Sequence, residues 1–289
     1  MRAVVDSQQF QRLLGTVRAS RTVRDPFRFI VLQLVTSRVA GHRLRGSGLT
    51  VYLRHGSRDV DVFKEVFVGG DAGGSYDPPR QLVGDLEAGS GPTVLDLGGN
   101  IGLFGLYVLG RWPGAAVRSF EPDPTNLPIL ERAIAANGLQ ARWTLTPVAV
   151  GNREGEMLFV SGLLAESRLA GLAETGLHEP GAASVQDGTK IPVRVVDLFA
   201  EDHAVDLIKI DIEGGEWSIL TDPRLPELRA RAVVIEWHAD GCPEPDPRGA
   251  AIRLLRAAGY AGLQETEDYG HRGLLWAWRE SPGELDSSG

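Results

Sequence analysis

The stretch that most constrains this chain is residues 93–105, which read TVLDLGGNIGLFG. A short apolar run ends at Asp96 and gives way to three glycines, after which apolar residues resume at helical spacing. This order predicts a buried strand, a tight turn and the start of a helix, as found in nucleotide-binding sites at the edge of a parallel sheet. Glycine in such a turn permits positive φ angles and lets a ligand approach the backbone.

The spacing of the glycines distinguishes two kinds of cofactor. A dinucleotide-binding G-x-G-x-x-G motif would need a glycine at the position of Asn100. The chain instead has D-x-G-x-N-x-G, in which Asp96 precedes the glycines. A carboxylate there would repel a pyrophosphate and suits a cationic ligand such as S-adenosylmethionine, which carries a sulfonium and an α-amino group. An ordinary strand-to-helix turn, whose glycines only permit packing, is the simpler alternative.

Composition and charge narrow the class of protein. The chain has 289 residues and a net charge of −8, which argues against nucleic acid as a partner. Cys242 is the only cysteine, so an internal disulfide and a cysteine-rich metal site are excluded. The start of the chain lacks the apolar segment of a secretory signal and any run long enough for a membrane span. We therefore expect a cytoplasmic protein.

The domain organisation follows from where the regular pattern begins and lapses. We expect one α/β domain at residues 49–280, a basic helical extension at 1–48 and a disordered tail at 281–289. Residues 1–45 hold nine arginines against two aspartates, a net charge of +7. This extension fits a cap or a homodimer contact, with a membrane surface or an acidic partner as the alternatives. Residues 161–189 are polar and glycine-rich, which predicts a lid or a disordered loop.

From residue 93 onward, apolar runs of strand length alternate with segments of helical periodicity. This alternation predicts a mostly parallel sheet with right-handed crossovers, completed by an antiparallel hairpin near the C-terminus. In this interpretation, residues 142–150 form a single strand. Residues 69–79 form a loop that leads directly to the strand at residue 93.

Glu121 closes the second predicted strand, 25 residues after Asp96. In this architecture a carboxylate at that point meets the ribose of a nucleotide, since one carboxylate can accept from two vicinal O–H groups. The alternative is a solvated acid at the end of a strand. Together with the glycine turn, Glu121 favours the cofactor-binding interpretation.

The second informative stretch is residues 209–216, KIDIEGGE, which ends a near-continuous apolar run. Its three acids crowd the carboxyl end of a buried strand, where ligands bind in open α/β sheets. Such acids can orient a substrate hydroxyl or a bound amino acid, or coordinate a divalent cation. We assign Asp211 and Glu213 to the site and Glu216 to capping of the following helix, whose dipole favours an acid.

A histidine ends the next predicted strand. His238 is a candidate general base for a hydroxyl, because an unperturbed imidazole has a pKa of about 6.5. A lone histidine is more often structural, and the other histidines of the chain have no supporting context. Asp211, Glu213, Glu236 and His238 fall on adjacent strand ends, so metal assistance stays open, although their spacing predicts no metal site.

Three motifs together resemble the FkbM-type family of class I S-adenosylmethionine-dependent methyltransferases. They are DLGGNIG at residues 96–102, FEPDP at 120–124 and LIKIDIEGGE at 207–216. The third motif is close to the signature of that family, whereas the glycine motif is shared with many methyltransferases. The similarity covers roughly residues 49–280.

The resemblance implies a Rossmann-like class I methyltransferase fold, S-adenosylmethionine as cofactor, and methyl transfer to a hydroxyl of a small molecule, natural product or sugar. By position it places Glu121 at the ribose and the signature acids beside the transfer site, where Asp211 also serves the cofactor. The methionine end of the cofactor would meet Asp96, Gly98, Asn100 and Gly102. A nicotinamide-dependent oxidoreductase, disfavoured by Asn100 and Asp96, and a non-catalytic cofactor-binding module are the alternatives.

Overall fold

The computed structural model describes residues 13–68, 74–161, 168–169, 189–200 and 204–280. Most of the predicted insertion at 161–189, the whole predicted tail at 281–289 and the first twelve residues lie outside this part of the chain. The elements below are numbered in chain order within the described residues.

The N-terminal part of the chain is helical only in part. Residues 13–20 are helical, and α1 (Pro26–Val35) follows, with Asp25 capping its first turn by accepting from the backbone N–H of Arg28 at 3.0 Å. The chain then forms an antiparallel hairpin of β1 (Val39–Arg43) and β2 (Thr50–Arg54). The prediction of a helical extension to residue 48 was therefore wrong for β1, where burial alternates from residue to residue as in a half-buried strand.

Two short helices precede the central sheet. The helix α2 (Asp59–Phe67) buries Val60, Phe63 and Val66, and it packs on α4 (Leu103–Arg111). The helix α3 (Arg80–Glu87) was missed, because its only apolar signal in the sequence is the pair Leu82 and Leu86. Both leucines are buried, so tertiary packing stabilises a helix too short to show clear periodicity.

The centre of the fold is a seven-stranded sheet. One strand runs antiparallel to both of its neighbours; it is second from an edge of the sheet and is the last described strand in the sequence. All the other pairings are parallel. This arrangement confirms the predicted Rossmann-like sheet with a C-terminal antiparallel hairpin. From one edge to the other, the strands are β12 (Gly262–Asp268), β13 (Arg272–Trp278), β11 (Ala230–His238), β10 (Val205–Ile210), β3 (Thr93–Leu97), β4 (Ala116–Phe120) and β5 (Trp143–Thr146).

Helices connect the parallel strands and cover both faces of the sheet. The helix α4 follows β3, α5 (Leu127–Ala136) lies between β4 and β5, α6 (Glu216–Leu220) follows β10, and α7 (Pro247–Ala257) follows β11. Gly138 and Gly259, which follow α5 and α7, have φ angles of 65° and 91°. None of the helices in the described part of the chain has the length and apolar character needed to cross a bilayer.

The predicted strand at residues 142–150 divides between two sheets. The strand β5 ends at Thr146, and β6 (Ala149–Gly151) pairs instead with β9 (Thr189–Asp197) in a second sheet. Pro147 stands between them and has no N–H to continue the ladder, so the single-strand prediction was wrong at this residue. The second sheet has the order β6, β9, β7 (Gly155–Ser161), β8 (Arg168–Leu169).

The core divides into two layers, one on each face of the central sheet. Along β10, Leu207 packs in the layer formed with α4 and α5, whereas Ile208 and Ile210 pack in the layer formed with α6 and α7. Lys209 shares the face of Leu207, because successive side chains point to opposite faces of a strand. Lys209 thus places a charge beside the apolar side chains of this layer.

Candidate active site

The carboxyl ends of four parallel strands bring the predicted site residues together. Gly98 follows β3, Glu121 follows β4, Asp211 follows β10 and His238 ends β11. In an open α/β sheet the ligand site lies at these ends, in the crevice where the strand order reverses. Here β3 is the point of reversal, with β4 on one side and β10 on the other.

The turn after β3 brings its backbone close to neighbouring groups and to the space where a ligand would bind. Gly98 has φ of 83°, and a Cβ atom there would lie 1.8 Å from the carbonyl oxygen of Asp211. Asn100 has φ of 47°, which is uncommon for a residue with a side chain. Gly102 caps α4 with φ of 87°, and a Cβ atom there would press on Trp143 at 3.0 Å. Only glycine at positions 98 and 102 therefore allows the backbone to follow this tight turn.

Glu121 is the acceptor for the backbone around this turn. Its Oε2 accepts the N–H of Asn100 at 2.6 Å, and its Oε1 accepts the N–H of Asp123 at 2.8 Å. Burial raises the pKa of Glu121 to about 7, although these two hydrogen bonds oppose the shift. Nδ2 of Asn126 also donates to Oε1 at 3.3 Å, so the acceptor capacity that Glu121 keeps for a ligand lies at Oε2.

A cavity opens beside this turn, and the cofactor residues and the acids line it together. Five of the predicted site residues, Gly98, Asn100, Glu121, Asp211 and Glu213, lie on its wall. The rest of its lining comes from Phe120, Pro122, Asn126, Val148, Ala149, Val150, Phe159 and Ile212. The other predicted site residues, Asp96, Gly102 and His238, are described by the structure but do not line this cavity.

Asp96 lies behind the cavity in a buried polar row that crosses three strands. The register pairs Asp96 of β3 with Lys209 of β10 and with Ser119 of β4, so the three side chains share one face of the sheet. Oδ2 of Asp96 accepts from Oγ of Ser119 at 2.8 Å, and Oδ1 lies 3.4 Å from Nζ of Lys209. The side chains of Asp96 and Lys209 are 0% and 4% exposed, so this charge pair is inside the protein.

Lys209 joins this row to the cavity. Its Nζ donates to the carbonyl oxygen of Gly98 at 2.7 Å and lies 3.2 Å from Oδ2 of Asp211. Burial alone would lower the pKa of Lys209, but the carboxylates of Asp211 and Asp96 raise it above its ordinary value. Lys209 is therefore a permanent cation that orients both the glycine turn and the Asp211 carboxylate. No role was predicted for Lys209, although a lysine within the apolar run VDLIKI is a visible signal in the sequence.

His238 lies among three glutamates. Its Nδ1 is 3.0 Å from Oε1 of Glu216, and its Nε2 is 3.5 Å from Oε2 of Glu213 and 3.7 Å from Oε1 of Glu236. Burial would lower the pKa of His238, but these carboxylates, Glu216 foremost, raise it well above 6.5. The carboxylates thus favour the protonated form of the ring, which was not expected of an unperturbed histidine.

Glu216 does more than cap α6. Its Oε2 accepts the N–H of Gly214 at 2.8 Å, which is a local contact of the predicted kind. Its Oε1, however, accepts from the backbone N–H of His238 at 2.7 Å as well as facing Nδ1. The side chain of Glu216 is completely buried. From the start of α6, it therefore holds the histidine at the end of β11 in place.

A second cation balances the outer side of the acid cluster. Arg272 of β13 donates to Glu236 and lies 3.1 Å from Oε1 of Glu65 on α2. Burial raises the pKa of Glu213 and of Glu236, and repulsion by the carboxylate of Asp211 raises both further. Sequence spacing gave no sign of Arg272 or Glu65, because they lie 207 residues apart in the chain.

Three of these residues could also hold a metal ion. Asp211, Glu213 and His238 each offer one ligand atom, and the three atoms lie within 4.8 Å of one another. Oxygen and imidazole ligands in this number are compatible with a divalent cation.

The matches to known proteins agree with this geometry. A sequence model described as the methyltransferase FkbM domain matches residues 96–261, more than half of the chain. The chain belongs to the FkbM methyltransferase family. The match spans β3 to the end of α7 and includes the glycine turn, Glu121, the acid cluster and His238.

Relatives of this FkbM-family protein come from bacteria and fungi. The 31-O-demethyl-FK506 methyltransferase FkbM of Streptomyces tacrolimicus is 30% identical over 212 residues, 63% of this chain and 77% of that protein. Methyltransferase sdnD of Sordaria araneosa is 27% identical over 178 residues, 53% of this chain and 69% of that protein. The crystal structure of a methyltransferase FkbM from Methylobacillus flagellatus superposes with a TM-score of 0.44 at 19% identity, over 70% of this chain and 48% of that one.

Membership of this family confirms the predicted S-adenosylmethionine-dependent methyltransferase and disfavours both alternatives, the nicotinamide-dependent oxidoreductase and the non-catalytic module. The cavity of the FkbM-family protein suits this cofactor. Oδ1 of Asn100 is buried without a hydrogen-bond partner, and a Cβ atom at position 98 would close the cleft beside it. The wall is acidic at Glu121, Asp211 and Glu213, which suits a ligand with a sulfonium and an amino group.

Proposed function

We propose that this protein transfers the methyl group of S-adenosylmethionine to a hydroxyl oxygen of a small molecule, natural product or sugar. One observation carries the proposal: the residues suited to the cofactor, Asn100 and Glu121, and the acids Asp211 and Glu213 line the same cavity. A cofactor held by the first pair would therefore lie next to groups able to orient a hydroxyl and accept its proton.

The cofactor side of the site follows from charge and hydrogen-bonding capacity. Glu121 would accept from the ribose hydroxyls, and Asn100 would offer its unpartnered Oδ1 to a donor of the cofactor. Asp211 would accept from the amino group, with its carboxylate held in place by Lys209. Gly98 and Gly102 would contribute by shaping the turn, and Asp96 would act from behind it through Lys209. When bound, S-adenosylmethionine supplies a methyl group on a cationic sulfur.

The acceptor side would use the pair of His238 and Glu213. As the acceptor oxygen gained the methyl carbon, the carbon–sulfur bond of the cofactor would break and leave S-adenosylhomocysteine, and the hydroxyl proton would pass to this pair, whose facing atoms are 3.5 Å apart. Glu216 keeps the imidazole ring oriented, and Glu236 stabilises its positive charge at 3.7 Å. Charge is dispersed rather than created in such a transfer, so positioning and proton removal are the contributions required of the protein.

The name of one relative favours oxygen as the acceptor atom. That of the Streptomyces tacrolimicus protein denotes methylation of 31-O-demethyl-FK506, a demethylated oxygen on a small molecule. Residues 161–189 stand between β7 and β9, and β7 provides Phe159 to the cavity wall. We propose that this insertion, predicted as a lid, selects the acceptor. Its shortening should leave cofactor affinity intact and abolish turnover on the native acceptor, whereas full turnover would refute this role.

Transfer from isotope-labelled cofactor tests the function. The protein is incubated with S-adenosylmethionine carrying a ¹³C-methyl group and with pairs of acceptors that differ only in a hydroxyl or an amine. We expect labelled methyl ethers, measured by mass spectrometry and located by NMR. Label on nitrogen alone would refute O-methylation but would still support methyltransferase activity. Tighter binding of NAD than of S-adenosylmethionine in calorimetry would refute the cofactor assignment itself.

A further inference from the structure

The helix α1 carries an exposed apolar face. Phe27, Leu34 and Val35 are 77%, 66% and 73% exposed, and Val31 lies between them on the same side of the helix. Their spacing of four, seven and eight residues from Phe27 places them on one stripe. A contiguous apolar surface of this kind on a folded protein marks an interaction site rather than a part of the core.

The opposite face of α1 fixes the helix to the protein. Phe29 is completely buried, and its ring meets His42 and His55 edge-on, with centroids 5.0 Å and 5.3 Å away. The side-chain oxygen of Gln33 accepts the backbone N–H of Gly56 at 3.0 Å. The exposed stripe is therefore not a core face that failed to dock, since α1 already has a docked face.

The surroundings of the stripe are strongly basic. Residues 13–58 contain nine arginines and only one acid, Asp25. Arg24 precedes the helix, Arg28 lies beside Phe27, and Arg38 follows the last turn. The exposed arginines of this region are Arg18, Arg21, Arg24, Arg28, Arg38, Arg43, Arg45 and Arg58.

The combination of an apolar stripe and surrounding arginines distinguishes between the possible classes of binding partner. A second copy that used the same face would bring two sets of arginines together, which like-charge repulsion opposes. Nucleic acid would satisfy the arginines but leave Phe27 and Leu34 in water. An anionic bilayer satisfies both, because its headgroups attract arginine and its interfacial region accepts apolar side chains. We propose that the outer face of α1, with its flanking arginines, docks on the surface of a bilayer that contains anionic lipids.

The length of the helix agrees with docking in the plane of the surface. The helix α1 has ten residues, half of what a membrane-crossing helix of about 20 residues requires. Amphipathic helices of this kind lie at the level of the headgroups, with the apolar side inserted and the basic residues at the surface.

Co-sedimentation of the full chain with vesicles tests this proposal. The protein should pellet with vesicles of equal parts phosphatidylcholine and phosphatidylserine, stay in solution with phosphatidylcholine alone, and be released by added salt. The double variant Phe27→Ser/Leu34→Ser should bind at least about tenfold more weakly. Arg24→Ser/Arg38→Ser should lose most of the response to phosphatidylserine.

The matched control is Leu158→Ser, which removes a leucine that is 52% exposed on β7, away from the extension. It should bind vesicles as the unmodified chain does, and thermal unfolding of every variant checks that the fold is kept. Failure of the full chain to bind anionic vesicles would overturn the proposal, as would an equal loss of binding in Leu158→Ser. A dimer seen by light scattering that Phe27→Ser/Leu34→Ser dissociates would also overturn it, because a second copy would then cover the face.

Discussion

Nδ1 of His238 lies 3.0 Å from Oε1 of Glu216, and the same oxygen accepts the backbone N–H of His238 at 2.7 Å. The second oxygen of Glu216 accepts from Gly214 in the loop after β10. One buried carboxylate thus links the end of β11 to the turn that carries Glu213. It leaves Nε2 of the imidazole directed toward Glu213, at 3.5 Å.

Glu216→Gln tests whether this link positions the histidine. The variant keeps the shape of the side chain but removes the charge that contributes most to the raised pKa of His238. We expect the pKa of His238, followed by NMR, to fall, and kcat to fall about tenfold with the KM for S-adenosylmethionine unchanged. Glu227→Gln, at an exposed acid, is the control and should change neither. A folded Glu216→Gln enzyme with an unchanged pKa at His238 would contradict the assignment.

Glu121→Gln tests the ribose assignment and its dependence on pH. Loss of a charge-assisted acceptor should weaken S-adenosylmethionine binding by about 1.5–3 kcal/mol in calorimetry. Burial raises the pKa of Glu121 to about 7, so affinity for the cofactor should increase as pH rises through that value and the carboxylate ionises. The variant should lose this increase, and the exposed Glu131→Gln should keep it. Equal affinity in a folded Glu121→Gln protein would show that the ribose lies elsewhere.

Lys209→Met tests the buried charge row behind the cavity. The variant leaves Asp96, which is completely buried, without its cation. Breaking a buried ion pair on one side costs about 3–5 kcal/mol, measurable by urea unfolding. The double variant Lys209→Met/Asp96→Asn should recover much of this loss, because no unpaired buried charge remains at the row. A single variant as stable as the wild type would mean that Lys209 is not needed to balance Asp96.

Much of the fold could be predicted because its signals are local. The glycines at residues 98–102 require their turn whatever surrounds them, and the apolar runs of β3 and β10 are long enough to mark buried strands. The break between β5 and β6 at Pro147 was missed, although proline cannot donate to a ladder, because the apolar pattern continues across it. The helix α3 has two buried leucines and no stronger signal.

The site was predictable as a set of residues and not as a set of contacts. Strand ends identified Glu121, Asp211 and His238, since the carboxyl ends of parallel strands share one edge. The role of Lys209 depends on its register with Asp96, which no local pattern encodes. In the same way, Glu216 reaches His238 across 22 residues of sequence, and this contact changes the expected charge of the histidine.

The protein should lose stability as pH rises, and the sign follows from two groups. The pKa of His238 is raised in the folded state, so its contribution is complete below about 6.5 and is lost as pH rises through the folded value. The pKa of Glu121 is raised to about 7, so the folded state also holds more protons than the unfolded state below that pH. We expect the free energy of unfolding in urea to decrease between about pH 5 and about pH 8. Glu121→Gln should flatten the lower part of this decrease, and a slope that this substitution leaves unchanged would contradict the shift at Glu121.

The final prediction concerns the proton of the acceptor hydroxyl. Because the glutamates around His238 raise its pKa, turnover should rise with pH to a midpoint above the roughly 6.5 of a free imidazole. His238→Ala should lower kcat at least about tenfold at saturating cofactor, and Asp211→Asn should be comparably damaging. A metal chelator should leave the wild-type rate unchanged. Normal turnover in His238→Ala would mean that a carboxylate alone accepts the proton. Loss of activity with chelator would instead indicate that Asp211, Glu213 and His238 are metal ligands.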